Sequence, residues 1–254
     1  MRYTATHHEG TYHDSPYGCA ATGRHITGAS QGIGAALVDA YRKRDYAVVA
    51  NSRTITPTDD SGVVTVAGDI ADPATAERLV TTAVDRFGRV DTLINNAGVF
   101  ISKPFTEYTA ADYAHVTGIN LTGFFYLTQR VIAQMLAQGG GGHIVNVTTT
   151  LVEYADAKVP SVLASLTKGG LASATKSLAI EYAHNGIRVN AVSPGTIDTP
   201  MHADDDRAAL AGLHPLGRLG TTADIVEGVL YLEAATFVTG EFLHIDGGQS
   251  AGHT

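Results

Sequence analysis

The chain has 254 residues, is 44% hydrophobic and carries a formal net charge of -8 at pH 7. That length suits one α/β domain with a large core, and the acidic balance argues against nucleic acid as the main partner. Cys19 stands alone, which excludes an internal disulfide framework, and no apolar run approaches the roughly 20 residues that a membrane span needs.

Residues 1–18 are rich in His, Tyr and Thr and lack an apolar segment, so they read as an N-terminal arm and not as a signal peptide. His7 and His8 belong to that solvated arm, and no metal site is expected. Residues 19–254 form the single domain, and the lone cysteine fits a reducing cytoplasm.

A first strand is expected at residues 22–27, although Gly23, Arg24 and His25 are unusually polar for a central parallel strand. Then comes Thr27-Gly28-Ala29-Ser30-Gln31-Gly32-Ile33-Gly34, and a helical pattern over residues 35–43 with Leu37, Val38 and Tyr41 at helical spacing. A strand that ends in glycines and opens into a helix is a candidate phosphate-binding turn. Gly28 permits the turn, Gly32 leaves backbone N–H groups open to a pyrophosphate, and Gly34 lets the helix pack close. The helix N-terminus supplies unpaired donors and the positive dipole end. Residues 47–50 and 63–66 read as strands, with a loop at 56–61 between them. Asp72-Pro73 caps a helix whose stripe is Leu79, Val80, Ala83, Val84 and Phe87, and Gly88 stops it.

Strand four is expected at residues 90–94, followed by Asn95-Asn96-Ala97-Gly98. Residues 118–137 read as one long helix that is apolar over more than one face (Phe124, Phe125, Leu127, Val131, Ile132, Met135, Leu136). So wide an arc suggests a subunit contact or burial within the domain. Residues 139–142 are a turn, 143–147 strand five, 162–183 a long helix and 187–192 strand six. A loop with one short helix fills 193–214, a helix 223–234, and the last strand 242–245. Strand and helix alternate without a repeat or linker, so the fold class is α/β, a single-domain Rossmann-like doubly wound parallel sheet.

In order along the chain, Thr27 to Gly34, Asp69, Asn95-Asn96-Ala97-Gly98, Asn120, Lys168, Pro194-Gly195 and Asp246-Gly247-Gly248 stand near expected strand ends or on the helices between them. Together they resemble the classical short-chain dehydrogenase/reductase family over residues 27–248. The resemblance implies a nicotinamide dinucleotide, a carbonyl or alcohol as small-molecule substrate, and a homotetramer or homodimer. On that basis the cofactor-binding residues are Gly28, Ser30, Gln31, Gly32, Ile33, Gly34, Ser52, Arg53, Asp69, Ile70, Asn95, Ala97, Gly98, Lys168, Pro194, Gly195, Ile197 and Thr199. The resemblance puts the adenine against Asp69 and Ile70, and the ribose side on the turn from Asn95. The nicotinamide and phosphates fall to residues 194–199. For Asp69 and Asn95 the alternative is a turn residue bonded to its own backbone.

An NAD site normally places a carboxylate after the second strand for the ribose 2′-hydroxyl. Asn51-Ser52-Arg53 stands there instead. An arginine fork and a serine hydroxyl suit a 2′-phosphate, so NADP is expected in preference to NAD.

The resemblance implies catalysis by a tyrosine four residues before a lysine on one helix face, a hydroxyl after strand five, and an asparagine that positions a water. Asn120, Thr149 and Lys168 match three of these, with Thr148 and Thr150 adjacent to Thr149. The fourth departs: Ala164 stands four before Lys168, where the family has tyrosine. A literal Tyr-x-x-x-Lys occurs at Tyr154 to Lys158, but Pro160 places it in a loop. Three readings follow: an active oxidoreductase whose proton comes from Tyr154, Lys168 or a relayed water; an NADP-binding sensor or partner subunit without hydride transfer; or a dehydratase or isomerase that uses Thr149 and Lys168. The substrate is expected over Thr149, near residues 152–158 and under the 196–214 loop, where Met201, His202, Leu210 and Leu213 are candidate lining residues.

Overall fold

The structure, a computed structural model, describes residues 22–252. The expected arm at 1–18 and Cys19 lie outside the described residues.

Seven strands, β1 Gly23–Thr27, β2 Ala47–Ser52, β3 Val63–Ala67, β4 Thr92–Asn95, β5 Gly142–Val147, β6 Ile187–Pro194 and β7 Phe242–Ile245, form one sheet in the order β3-β2-β1-β4-β5-β6-β7. Every pairing is parallel. Parallel strands need crossovers, and helices supply all but the one from β2 to β3: α1 Gly32–Arg42, α2 Pro73–Phe87, α3 Ala110–Thr117, α4 Phe124–Gln138, α5 Val162–Tyr182, α6 Arg207–Ala211 and α7 Thr222–Ala234. Alternate strand residues face opposite ways and divide the core in two. Val48, Ile94, Val145 and Val192 meet Leu37 and Tyr41 of α1 and Ile225 and Val229 of α7. Val49, Leu93, Ile144 and Val189 meet Leu79 of α2, Leu127 and Val131 of α4, and Ala179 of α5. Among the described residues no helix is long and apolar enough to cross a membrane.

Local chemistry explains most element ends. Asp72 accepts from the Ala74 N–H at 2.9 Å with Pro73 at the first helical position, and Gly88 ends α2 at φ 78°. The helix expected at 118–137 is different. It starts earlier, as α3, passes through a π-helical turn at Gly118–Gly123, and continues as α4. The start is a capping box: Thr109 Oγ1 accepts from Asp112 N at 3.1 Å while Asp112 Oδ2 accepts from Thr109 N at 2.9 Å. On α4, Leu127, Val131, Ile132 and Met135 are buried, whereas Phe125 and Leu136 are exposed.

The polar residues of β1 have two separate accounts. Arg24 reaches Glu233 at 2.9 Å and lies 4.1 Å from the Tyr46 ring centroid, so its charge is paired and its plane stacked. Glu233 also accepts from Thr92 Oγ1 at 2.9 Å and pairs with His143 Nδ1 at 3.0 Å. Gly23 lets the Arg89 carbonyl approach, since a Cβ there would lie 2.7 Å from that oxygen.

His25 is another matter. It sits between Val49 and Leu93 in the register, fully buried, and neither ring nitrogen has a partner among the described residues. Burial pushes its pKa down to about 4. The folded state therefore refuses a proton that the unfolded chain accepts near pH 6.5, and stability falls as pH drops from there toward 4. His25→Leu is expected to stabilise the chain by about 1–3 kcal/mol, the cost of a buried unsatisfied N–H. At about 2–4 °C per kcal/mol, thermal melts at pH 5 and pH 8 check this, with the larger gain at pH 5.

Candidate active site

The carboxyl ends of the strands open onto one cleft of about 730 Å³. This is where an open parallel sheet takes its ligands. Its first wall is the glycine turn after β1. Gly28 holds φ 65°, and a Cβ there would lie 2.9 Å from Asn96 Nδ2. Asn96 Nδ2 in turn donates to Thr27 O at 2.9 Å, tying the ends of β1 and β4 together. Ser30, Gln31, Gly32 and Ile33 line the cleft, and α1 has no acidic residue in its first turn and no side-chain cap. Its first N–H groups and dipole are thus left for an anion. Gly34 does not line the cleft. It is the packing glycine, since a Cβ there would run into the Gly28 carbonyl.

Ser52, Arg53, Asp69, Ile70, Ala97 and Gly98 line the same cleft, as do Pro194, Gly195, Ile197 and Thr199. Ser52 Oγ is buried with no hydrogen-bond partner among the described residues, and a buried hydroxyl left unpaired at a cleft wall marks a place for a ligand. Glycine turn, open helix terminus and orphan hydroxyl together fit a dinucleotide. Asp69 Oδ1 accepts from Ala71 N at 2.9 Å, so this residue turns the chain and also faces the cleft. The Asn95 side chain points inward. Its Nδ2 donates to Thr128 Oγ1 and Asn146 Oδ1, both at 2.9 Å, bracing β4 against α4 and β5.

The three threonines after β5 all line the cleft but are committed differently. Thr148 donates to Val192 O at 2.9 Å, and Thr150 lies 3.2 Å from Gln249 Oε1. Thr149 only accepts, from Leu151 N at 3.4 Å, so its O–H remains available to a substrate oxygen. Lys168 is buried on α5 with Nζ donating to Val147 O at 2.7 Å. Among the described residues it has no carboxylate partner, and burial pushes its pKa down to about 8. A Cβ on Gly98 would lie 3.0 Å from Lys168 Nζ and 3.5 Å from Asn120 Oδ1, so the turn after β4 closes over both. Asn120 lies in the π turn, a feature frequent at functional sites. Its side chain does not line the cleft. Oδ1 accepts from Val99 N at 2.9 Å, and Nδ2 donates to Val99 O and Thr167 Oγ1 at 3.1 Å each.

Ala164, one turn before Lys168, lines the cleft with Leu151, Lys158, Val159, Met201, His202, Leu210 and Leu213. Val152 and Tyr154 are not among the lining residues. One residue in this region had no signal in the sequence. His214 is buried, and its Nε2 accepts from Thr196 N at 2.9 Å, fixing the backbone beside Gly195.

Because Lys168 is charged in isolation, folding works against its desolvation until pH rises from about 8 toward 10.5, where the unfolded chain also loses the proton. Lys168→Met is expected to raise the melting temperature at pH 7 by a few degrees, a gain that shrinks toward pH 10.5, while dinucleotide affinity falls at least tenfold. Calorimetry and a binding titration check the two arms.

Residues 23–250 match the family described as enoyl-(acyl carrier protein) reductase. A cis-4-hydroxycyclohexanecarboxylate dehydrogenase of Sinomonas cyclohexanicum is 37% identical over 240 residues, 89% of this chain and 95% of that one. A short-chain type dehydrogenase/reductase from Mycobacterium marinum superposes with TM-score 0.86 at 26% identity, over 91% of this chain and 96% of that one. ElxO, solved with NADP bound, superposes with TM-score 0.84 at 29% identity, over 91% of this chain and all of that one. A tyrosine-to-phenylalanine variant of ElxO is solved with NADPH. A 3-ketoacyl-(acyl-carrier-protein) reductase from Brucella melitensis, complexed with NADH, gives TM-score 0.81 at 29% identity over 91% and 100%. With relatives of this kind matched over nearly its whole described length, the chain belongs to the short-chain dehydrogenase/reductase family of oxidoreductases.

Proposed function

We propose that the protein is an NADP-dependent oxidoreductase that moves a hydride between the nicotinamide and a small carbonyl or alcohol. The observation that carries this is the convergence on one cleft of an anion-binding glycine turn, the free hydroxyl of Thr149 and the buried ammonium of Lys168. When bound, the nicotinamide supplies or accepts the hydride. The protein's own residues do the rest. Thr149 donates a hydrogen bond to the substrate oxygen, and Lys168 holds positive charge at the cleft floor. Asn120 keeps the 97–99 backbone against it, which makes it a positioning residue.

Ser52 and Arg53 favour NADP. The first is an unpartnered buried hydroxyl, and the second is exposed with no ion pair among the described residues. No carboxylate stands at the end of β2 to take a ribose hydroxyl. The substrate wall from Leu151, Val159, Met201, Leu210 and Leu213 suits an apolar body around the reacting carbon. Exposed Phe125 and Leu136 on α4, with Leu166 and Ile180 on α5, favour a homo-oligomer.

A carbonyl panel with NADPH tests the reading. NADPH is expected to be consumed faster than NADH at equal concentration. Tight NADPH binding without turnover of any panel member would instead indicate a sensor. Arg53→Ala is expected to weaken NADPH about tenfold, roughly 1.4 kcal/mol, and to leave NADH affinity within about twofold. Equal losses for both cofactors would remove the arginine from phosphate recognition.

A further inference from the structure

Among the described residues no tyrosine lines the cleft beside Lys168, yet a carbonyl that takes up a hydride must also take up a proton. We propose that His202, oriented by Asp205, is the group that exchanges this proton with the substrate oxygen. The inference rests on the oxidoreductase reading above and names its missing acid.

Three other donors are less well placed. Lys168 Nζ is drawn to the cleft floor by Val147 O. Tyr154, whose amide donates to Thr150 O at 2.8 Å, is not a lining residue. Lys158 lines the cleft but is exposed at its rim, outside any regular element.

His202 differs in being held. It ends a short 3₁₀ turn, Pro200–His202, with its amide donating to Thr199 O at 3.0 Å. The side chain is 19% exposed and lines the same cleft as Thr149 and Ala164. Its Nδ1 lies 2.8 Å from Asp205 Oδ2. A carboxylate only accepts, so Nδ1 carries the proton and Nε2 is left to give or take one. Nε2 has no partner among the described residues. An imidazole fixed at one nitrogen by a carboxylate and open at the other is a general acid–base arrangement.

The other charged groups around it are few. Asp205 and Asp206 are on its own loop. Lys158 and Lys168 line the same cleft. Arg207 and Asp198 close on each other in a two-bond fork and add little net charge.

In the reducing direction the imidazolium Nε2–H donates to the carbonyl oxygen as the carbonyl carbon receives the hydride and its electron pair from NADPH. The products are the alcohol, the oxidised dinucleotide and a neutral imidazole, which regains a proton from water at the exposed side of the loop. In the oxidising direction neutral Nε2 takes the hydroxyl proton.

His202→Gln, Asp205→Asn, Ala164→Tyr and the double variant His202→Gln/Ala164→Tyr test this on the full chain. His202→Gln is expected to lower kcat for carbonyl reduction at least about 10²-fold and leave the NADPH Kd within about twofold. It should also abolish the fall of kcat with rising pH through the imidazole range. Asp205→Asn, which removes the carboxylate on Nδ1, is expected to lower kcat about tenfold and leave the NADPH Kd within about twofold. The phenol introduced at position 164 beside Lys168 should restore at least tenfold of the lost kcat in the double variant. If His202→Gln keeps kcat within threefold with its pH profile intact, or changes KM alone, His202 only packs the loop and the proposal fails while the oxidoreductase reading stands. If the unaltered chain binds NADPH and turns over no carbonyl, both fail.

Discussion

Seven strands run in one direction, and that single constraint places everything else. It puts all seven carboxyl ends on one edge of the sheet, so the loops after β1, β2, β3, β4, β5 and β6 meet at one cleft although they are far apart in the chain. It also requires crossovers, and all but the β2-to-β3 connection carry a helix, so helices cover both faces of the sheet. The helix dipole of α1 then points its positive end at the same edge. The open N-terminus of α1, the free Thr149 hydroxyl and the buried Lys168 cation share a cleft because the strands are parallel.

The opposite edge of the sheet has a different chemistry. There Arg24, Glu233, His143 and Thr92 form a buried charged network between β1, β4, β5 and α7. Breaking such a network leaves a charge without its partner, which costs more than the intact set contributes. It fixes how α7 sits on the sheet, and α7 covers the face beneath the glycine turn. His25, one residue on from Arg24, has no such partner and is a plain loss for the folded state. Nothing around it explains its choice.

Lys168 is a group that folding alone disfavours. Its ammonium is desolvated, donates to one backbone carbonyl, and lies under Gly98, where a Cβ would come within 3.0 Å of it. Such a cation is cheaper to keep when an acceptor-rich ligand lies over it. The helical turn before it carries Ala164, which lines the cleft. The His202–Asp205 pair that lines the same cleft comes from the loop after β6 instead of the helix.

The sequence by itself determined the alternation of elements, the parallel sheet, the glycine turn, the cap at Asp72 and the absence of tyrosine at 164, because each is a local pattern of period, turn chemistry or spacing. It also contained the Thr109–Asp112 capping box, a local signal for the start of α3. Tertiary structure alone decided which of three adjacent threonines keeps its hydroxyl free, since that depends on Val192 and Gln249, 44 and 99 residues away from their threonine partners. It alone turned Asn95 inward, gave Arg24 its counter-charge and brought His214 against Thr196. Those outcomes depend on which distant groups meet, and spacing along a chain carries no record of that.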